Sequence, residues 1–208
     1  MTRARVLRLP KRTPTRDVDG RDIERSDAEL VRLAQAGEAS AERALFNRHA
    51  GYILALSLQL LRDSAEAEDL LQETFLDAIT QLRGRAEPAS LRQWLAGIAV
   101  HKAHRRFRRR KLQAMLGLFR PSDESVLEAS AHPDASPEIR AELALLDVAL
   151  ARVPDVDRAA WVLRYVEGYA LEDIARLCGC SLATAKRRIV RTRSIVLAHL
   201  DIAEVDDV

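Results

Sequence analysis

Five serines standing just before helix-periodic apolar runs constrain this chain more than any other feature. Ser26-Asp27-Ala28-Glu29 and Ser90-Leu91-Arg92-Gln93 are capping boxes. In each, the serine oxygen takes an amide of the first turn, and the Glu or Gln three residues on returns the bond. Ser40, Ser64 and Ser181 stand as simple caps of three further runs. Behind these signals, apolar residues recur at three- and four-residue spacing. They are Leu30, Leu33 and Ala34; Leu45, Phe46, Tyr52, Ile53, Leu56 and Leu60; Leu70, Leu71, Phe75, Leu76 and Ile79; and Trp94, Leu95, Ile98 and Ala99. The 208 residues include 33 Ala and 30 Leu but only 4% aromatics, which favours helices over strands. The expected fold is all-α, with two small four-helix domains joined by a flexible linker. A basic arm (1–25) leads into a first helical domain (26–113). An acidic linker (114–137) holding Pro121, Pro133 and Pro137 separates it from a second domain (138–200), and an acidic tail (201–208) follows.

The formal charge of +2 averages over blocks of opposite sign. Residues 1–16 carry six Lys/Arg and no acid, and residues 88–122 carry nine and no acid. Residues 62–77 hold six acids against Arg62, and residues 121–142 hold six against one Arg. Residues 174–200 carry six Lys/Arg and no acid. Such segregation separates surfaces for polyanions from surfaces for protein partners. Of the 33 basic residues, 29 are Arg. A GC-rich genome is the favoured reading of that excess, and Arg's bidentate fit to phosphate and guanine is the functional alternative. No apolar run approaches a membrane span, and the Arg-rich start lacks the form of a secretory signal, so the chain is expected in the cytoplasm. Two cysteines, Cys178 and Cys180, argue against a disulfide scaffold.

Leu171–Leu177, the turn Cys178-Gly179-Cys180 and the run opened by Ser181 form a helix-turn-helix candidate. Ile174, Leu177, Leu182, Ala185 and Ile189 are spaced to pack the two helices, with small Ala175 at their crossing. Thr184, Lys186, Arg187, Arg188 and Arg191 project to the opposite side or its flanks. Arg187 and Arg188 suit guanine edges, while Lys186 and Arg191 suit phosphates. The competing reading is a helical hairpin with a solvated basic face. Asp69, Gln72 and Glu73 share one helical face, read either as a solvated surface or as an interface for a basic partner helix. Trp94 opens a helix ending in seven Lys/Arg, and is expected either in the core or stacked on an unpaired base. His101 and His104 are an i, i+3 pair, but surrounding cations oppose a metal there, and Cys178-x-Cys180 lacks further ligands. No metal, cofactor or catalytic set is expected.

These stretches resemble a known family. DAELVRLAQAGEASAERALFNRHAGYILALSLQLL, AEAEDLLQETFLDAI and SLRQWLAGIA with its following Arg cluster are similar to region 2 of extracytoplasmic-function sigma factors. LDVALARVPDVDRAAWVLRYVEGYALEDIARLCGCSLATAKRRIVRTRSI is similar to region 4. The resemblance covers about 26–112 and 139–199. It implies a dissociable subunit of bacterial RNA polymerase, monomeric when free, with promoter DNA and an anti-sigma factor as further partners. The family's D-x-x-Q-E-x-F motif, here Asp69, Gln72, Glu73 and Phe75, would dock on core polymerase. Arg85, Arg92, Gln93, Trp94, His101, Lys102, Arg105, Arg106, Arg108 and Arg109 would meet the minus-10 element and its unstacked base. Thr184, Lys186, Arg187, Arg188 and Arg191 would read the minus-35 element. The family commonly has Phe at Arg85, I-A-R-N at Ile98-Ala99-Val100-His101, and Gly-Thr-Val-Lys at Ala183-Thr184-Ala185-Lys186. Two other classes compete: a free-standing helix-turn-helix regulator, and an RNA-binding or nuclease module using the Arg run.

Overall fold

The computed structural model describes residues 25–83, 88–117 and 137–199. The arm before Arg25, Arg85 with its loop, most of the expected linker and the acidic tail lie outside them. Among the described residues are eight helices and no strand.

Four helices make the first unit: α1 (Asp27–Gln35), α2 (Ala39–Leu61), α3 (Ser64–Leu82) and α4 (Leu91–Met115). Ser26 caps α1 with the full box. The Glu29 amide donates to its Oγ at 3.3 Å, and its own amide donates to Glu29 Oε2 at 2.8 Å. Gly37 turns the chain at φ +89°, a conformation that costs glycine little. Ser90 accepts the Gln93 amide at 3.3 Å. The other two expected caps move by a residue or more. α2 starts after Glu38 with no side-chain cap, which leaves Ser40 inside the helix. Asp63, rather than Ser64, caps α3 by accepting the Glu66 amide at 2.8 Å. A carboxylate there also meets the positive end of the helix dipole.

The second unit contains α5 (Pro137–Ala151), α6 (Asp155–Tyr165), α7 (Leu171–Leu177) and α8 (Leu182–His199). Ser181 accepts the Thr184 amide at 3.2 Å and so caps α8. Gly179, at φ +59°, makes the turn between α7 and α8.

In the first unit α2 packs on α1, α3 and α4, burying Leu30, Ile53, Leu56, Leu60, Leu70 and Leu95 completely or almost so. In the second, α8 packs on α5, α6 and α7 over Leu163, Ile174, Ala185 and Ile189. Each large apolar side chain withdrawn from water contributes about 1.5–3 kcal/mol. Leu76, expected in the core, is 67% exposed, and Leu182, expected between α7 and α8, is 46% exposed.

The two units are docked on each other, an arrangement absent from the sequence reading. α2 and α4 pack on α6, and α4 also meets α7. The contact centres on the carboxyl end of α2, where carbonyls lack helical partners. Arg158 of α6, almost wholly buried, donates Nη2 to the Leu60 carbonyl at 3.0 Å. Arg110 of α4 donates to the Leu61 carbonyl at 3.0 Å. Arg62, in the left-handed region at φ +55°, forms a two-pronged ion pair with buried Asp147 of α5, one prong at 3.1 Å.

Candidate nucleic-acid and partner interfaces

On α3 the four motif residues separate into two groups. Asp69, Gln72 and Glu73 face outward, whereas Phe75 is buried edge-on against Phe46, with ring centroids 4.8 Å apart. Leu76 follows one turn after Gln72 and Glu73 and gives the face an exposed apolar residue at its carboxyl-terminal end. Glu73 is already engaged: Oε1 accepts Arg106 Nη2 at 2.9 Å, and Lys102 Nζ lies 3.7 Å from Oε2. Lys102 pairs more closely with Asp77, at 2.7 Å.

The basic run of α4 is therefore divided. Lys102, Arg106 and Arg110 are directed back into the unit, onto Glu73, Asp77, Glu66 and two backbone carbonyls. His101, Arg105, Arg108 and Arg109 face outward at i, i+4, i+7 and i+8. A shallow groove between the two sets is lined by Glu73, Lys102, Arg105, Arg106 and Arg109. At the other end of α4, the Arg92 guanidinium lies 3.8 Å from the Tyr52 ring centroid and 3.3 Å from Glu167 of the second unit. Gln93 contributes its amide to the Ser90 cap. Trp94 is half-buried and packed against the core.

On α8 the outward face consists of Leu182, Ala183, Lys186, Arg187, Val190, Arg191 and Ser194. Thr184 stands at its edge, where its hydroxyl lies 2.9 Å from that of Ser181. Arg188 turns inward. Its Nε lies 3.6 Å from Asp157 Oδ1, and Nη1 is buried without a hydrogen-bond acceptor among the described residues. Arg191, mostly exposed, reaches the other Asp157 oxygen at 3.4 Å. Asp157 sits on α6, so two cations of the recognition helix share one buried carboxylate from outside the helix-turn-helix. Sequence spacing held no signal for that pairing. Cys178 is buried in the turn, and burial pushes its thiol up to about 12. Among the described residues no group of His, Cys, Asp and Glu is placed to hold a metal ion, and no helix is long and apolar enough to cross a membrane.

The chain matches two family models: Sigma-70 region 2 over residues 45–113 and Sigma-70 region 4 over residues 143–195. It is 34% identical over 172 residues to the ECF RNA polymerase sigma factor SigM of Mycobacterium tuberculosis, covering 82% of this chain and 83% of that protein. It is 38% identical over 157 residues to the RNA polymerase sigma factor CarQ of Myxococcus xanthus, covering 74% and 86%. Two solved structures share the fold. One is the sigma factor RpoE of Bartonella quintana in complex with the anti-sigma factor NepR, with TM-score 0.61 and 24% identity over 78% of this chain and 98% of that one. The other is CnrH in complex with the cytosolic domain of CnrY, with TM-score 0.57 and 25% identity over 84% and 97%. With the α3 acidic face, the basic helix and the helix-turn-helix all in place, the chain belongs to the ECF family of RNA polymerase sigma factors.

Proposed function

We propose that the chain binds core RNA polymerase in the cytoplasm through α3, and directs it to promoters through α4 and α8. One observation carries this reading: a cationic recognition face and a separate acidic docking face occur in a single chain. A free-standing regulator has use only for the first. Asp69, Gln72 and Glu73, with Leu76 one turn beyond them, are the polymerase contacts, and buried Phe75 holds their helix in place. At the minus-10 element, His101, Arg105, Arg108 and Arg109 track phosphates, Arg85 and Trp94 serve the unstacked base, and Arg92 and Gln93 flank it. Lys102 and Arg106 shape that surface by holding α3 against α4. At the minus-35 element, Lys186, Arg187 and Arg191 meet the duplex, and Thr184 fixes the start of the helix that carries them. The solved complex of a similar sigma factor with the anti-sigma factor NepR supports an anti-sigma partner here.

Transcription by core polymerase, with and without the chain, on a promoter library tests the reading. New initiation sites are expected only with the chain present. Asp69→Lys, on the exposed face and without an ion pair among the described residues, should weaken core binding at least tenfold while binding of the free chain to duplex DNA persists. Equal transcription from that variant would remove α3 from the docking role.

A further inference from the structure

We infer that the groove between α3 and α4 is a site for a backbone phosphate of a nucleic-acid strand, and that Glu73 fills it in the free chain. The carboxylate stands where a phosphate would stand, and a partner cation that draws it away opens the site. The groove is formed by this chain alone. That the partner is polymerase rests on the docking role proposed above for α3.

Three ionic rungs join the two helices: Glu66 with Arg110 at 2.9 Å, Glu73 with Arg106 at 2.9 Å, and Asp77 with Lys102 at 2.7 Å. The middle rung differs from the others. Glu73 is the acid that lines the groove, against Lys102, Arg105, Arg106 and Arg109. These cations recur at i, i+3, i+4 and i+7 and so share one face of α4, over about 10 Å of helix. Arg105 and Arg109 are exposed and have no ion pair among the described residues. The Glu73 side chain is 49% exposed, whereas those of Arg106 and Lys102 beneath it are 11% and 13% exposed. Glu73 therefore sits at the mouth, and two of the cations form the floor.

The floor stays in place when Glu73 leaves. Arg106 also donates Nη1 to the Glu66 carbonyl at 2.9 Å, and Lys102 retains Asp77. Departure of Glu73 thus exposes cations already held in position, with no side chain left to order. A guanidinium fork takes carboxylate and phosphate oxygens with the same geometry, so one acceptor replaces the other directly. While Glu73 is present, its charge repels a phosphate and offsets one of the four cations. The groove is shallow and open, which suits a strand passing across it. A carboxylate in the docking motif that also fills a phosphate site ties the two events together: the cation that pairs with Glu73 on docking vacates the groove for nucleic acid.

Binding of a short random-sequence single strand to the full free chain, titrated at several salt concentrations, tests the groove. Glu73→Gln keeps the shape of the side chain and removes its charge. Affinity at low salt should rise about fivefold, the upper end for one exposed charge pair. The slope of log affinity against log salt should steepen by about 0.7, as for one more phosphate neutralised on a single strand. Glu73→Ala should show the same gain, with helix content unchanged in both. Glu68→Gln removes an equal charge from an exposed position of α3 outside the groove, and should gain much less. The gain should vanish when Arg105→Ala and Arg109→Ala accompany Glu73→Gln, and should persist beside Arg108→Ala, which lies outside the groove. No gain in either Glu73 variant would overturn the gate. An equal gain in Glu68→Gln, or a gain that survives loss of Arg105 and Arg109, would overturn the groove as the site. With core polymerase saturating, wild type and Glu73→Gln should hold the strand equally, because docking has already withdrawn Glu73. A difference that persists there would overturn polymerase as the partner that opens the groove. Failure to form the complex at all would overturn the docking role instead, with the groove already decided by the free chain.

Discussion

Arg187 and Arg188 are adjacent in the chain and opposite in their surroundings. A step of one residue turns a helix by about 100°, which leaves Arg187 on the outer face and carries Arg188 over Asp157. The sequence pattern placed both on the basic side or its flanks, and the inner partner on α6 was beyond the reach of local spacing. Their substitutions should therefore behave differently. Arg187→Ala should cost about 1–3 kcal/mol on a matched minus-35 duplex and little on a mismatched one, as expected for a base contact. Arg188→Ala should lower thermal stability, because buried Asp157 loses the more buried of the two α8 cations paired with it, and should leave sequence preference intact. Binding titrations on matched and mismatched duplexes, beside thermal melts, separate the two. A sequence-dependent loss for Arg188→Ala would place that side chain in the groove.

At the scale of elements, α4 shows what a charge run becomes once folded. Seven Lys/Arg near its end suggested one cationic face, yet three of them are directed inward to carboxylates and carbonyls. His104 lies on that helix between the two groups. Its Nε2 is buried without a hydrogen-bond partner among the described residues, and its ring centroid stands 5.4 Å from that of Phe107. Burial lowers its pKa to about 4, and Arg188 on α8 together with Arg108 and His101 on α4 push in the same direction. The native chain thus favours neutral imidazole, while the unfolded chain titrates near 6.5. The stabilising effect is complete above the unfolded value and is lost as pH falls toward 4. It amounts to up to about 3 kcal/mol between pH 7 and pH 4. Denaturant titrations across that range should show wild type losing more stability than His104→Gln, which has no proton to gain. Parallel curves would mean that His104 does not feel its surroundings in this way.

For the molecule as a whole, what was legible followed from period and punctuation. The eight helices, the helix-turn-helix and the separation of charged surfaces all leave repeating marks in the sequence. Spacing points to Ser40 and Ser64 as caps, whereas Glu38 and Asp63 occupy the extended position just before each helix. The docking of the two units left no such mark, because it depends on backbone carbonyls and single arginines far apart in the chain. Arg158 is the clearest case. Its guanidinium joins Asp155 at 2.7 Å and the carbonyls of Val153 and Leu60, so one side chain belongs to both units. Arg158→Met preserves most of its buried volume and removes every donor. The orphaned carbonyl of Leu60 can return to water only if the units part. The carbonyl of Val153 lies within the second unit and stays unpaired, which costs about 1–3 kcal/mol. Calorimetry of the full chain should therefore change from one transition to two, the second unit melting first. A single transition shifted to lower temperature would show instead that the units remain docked without this arginine.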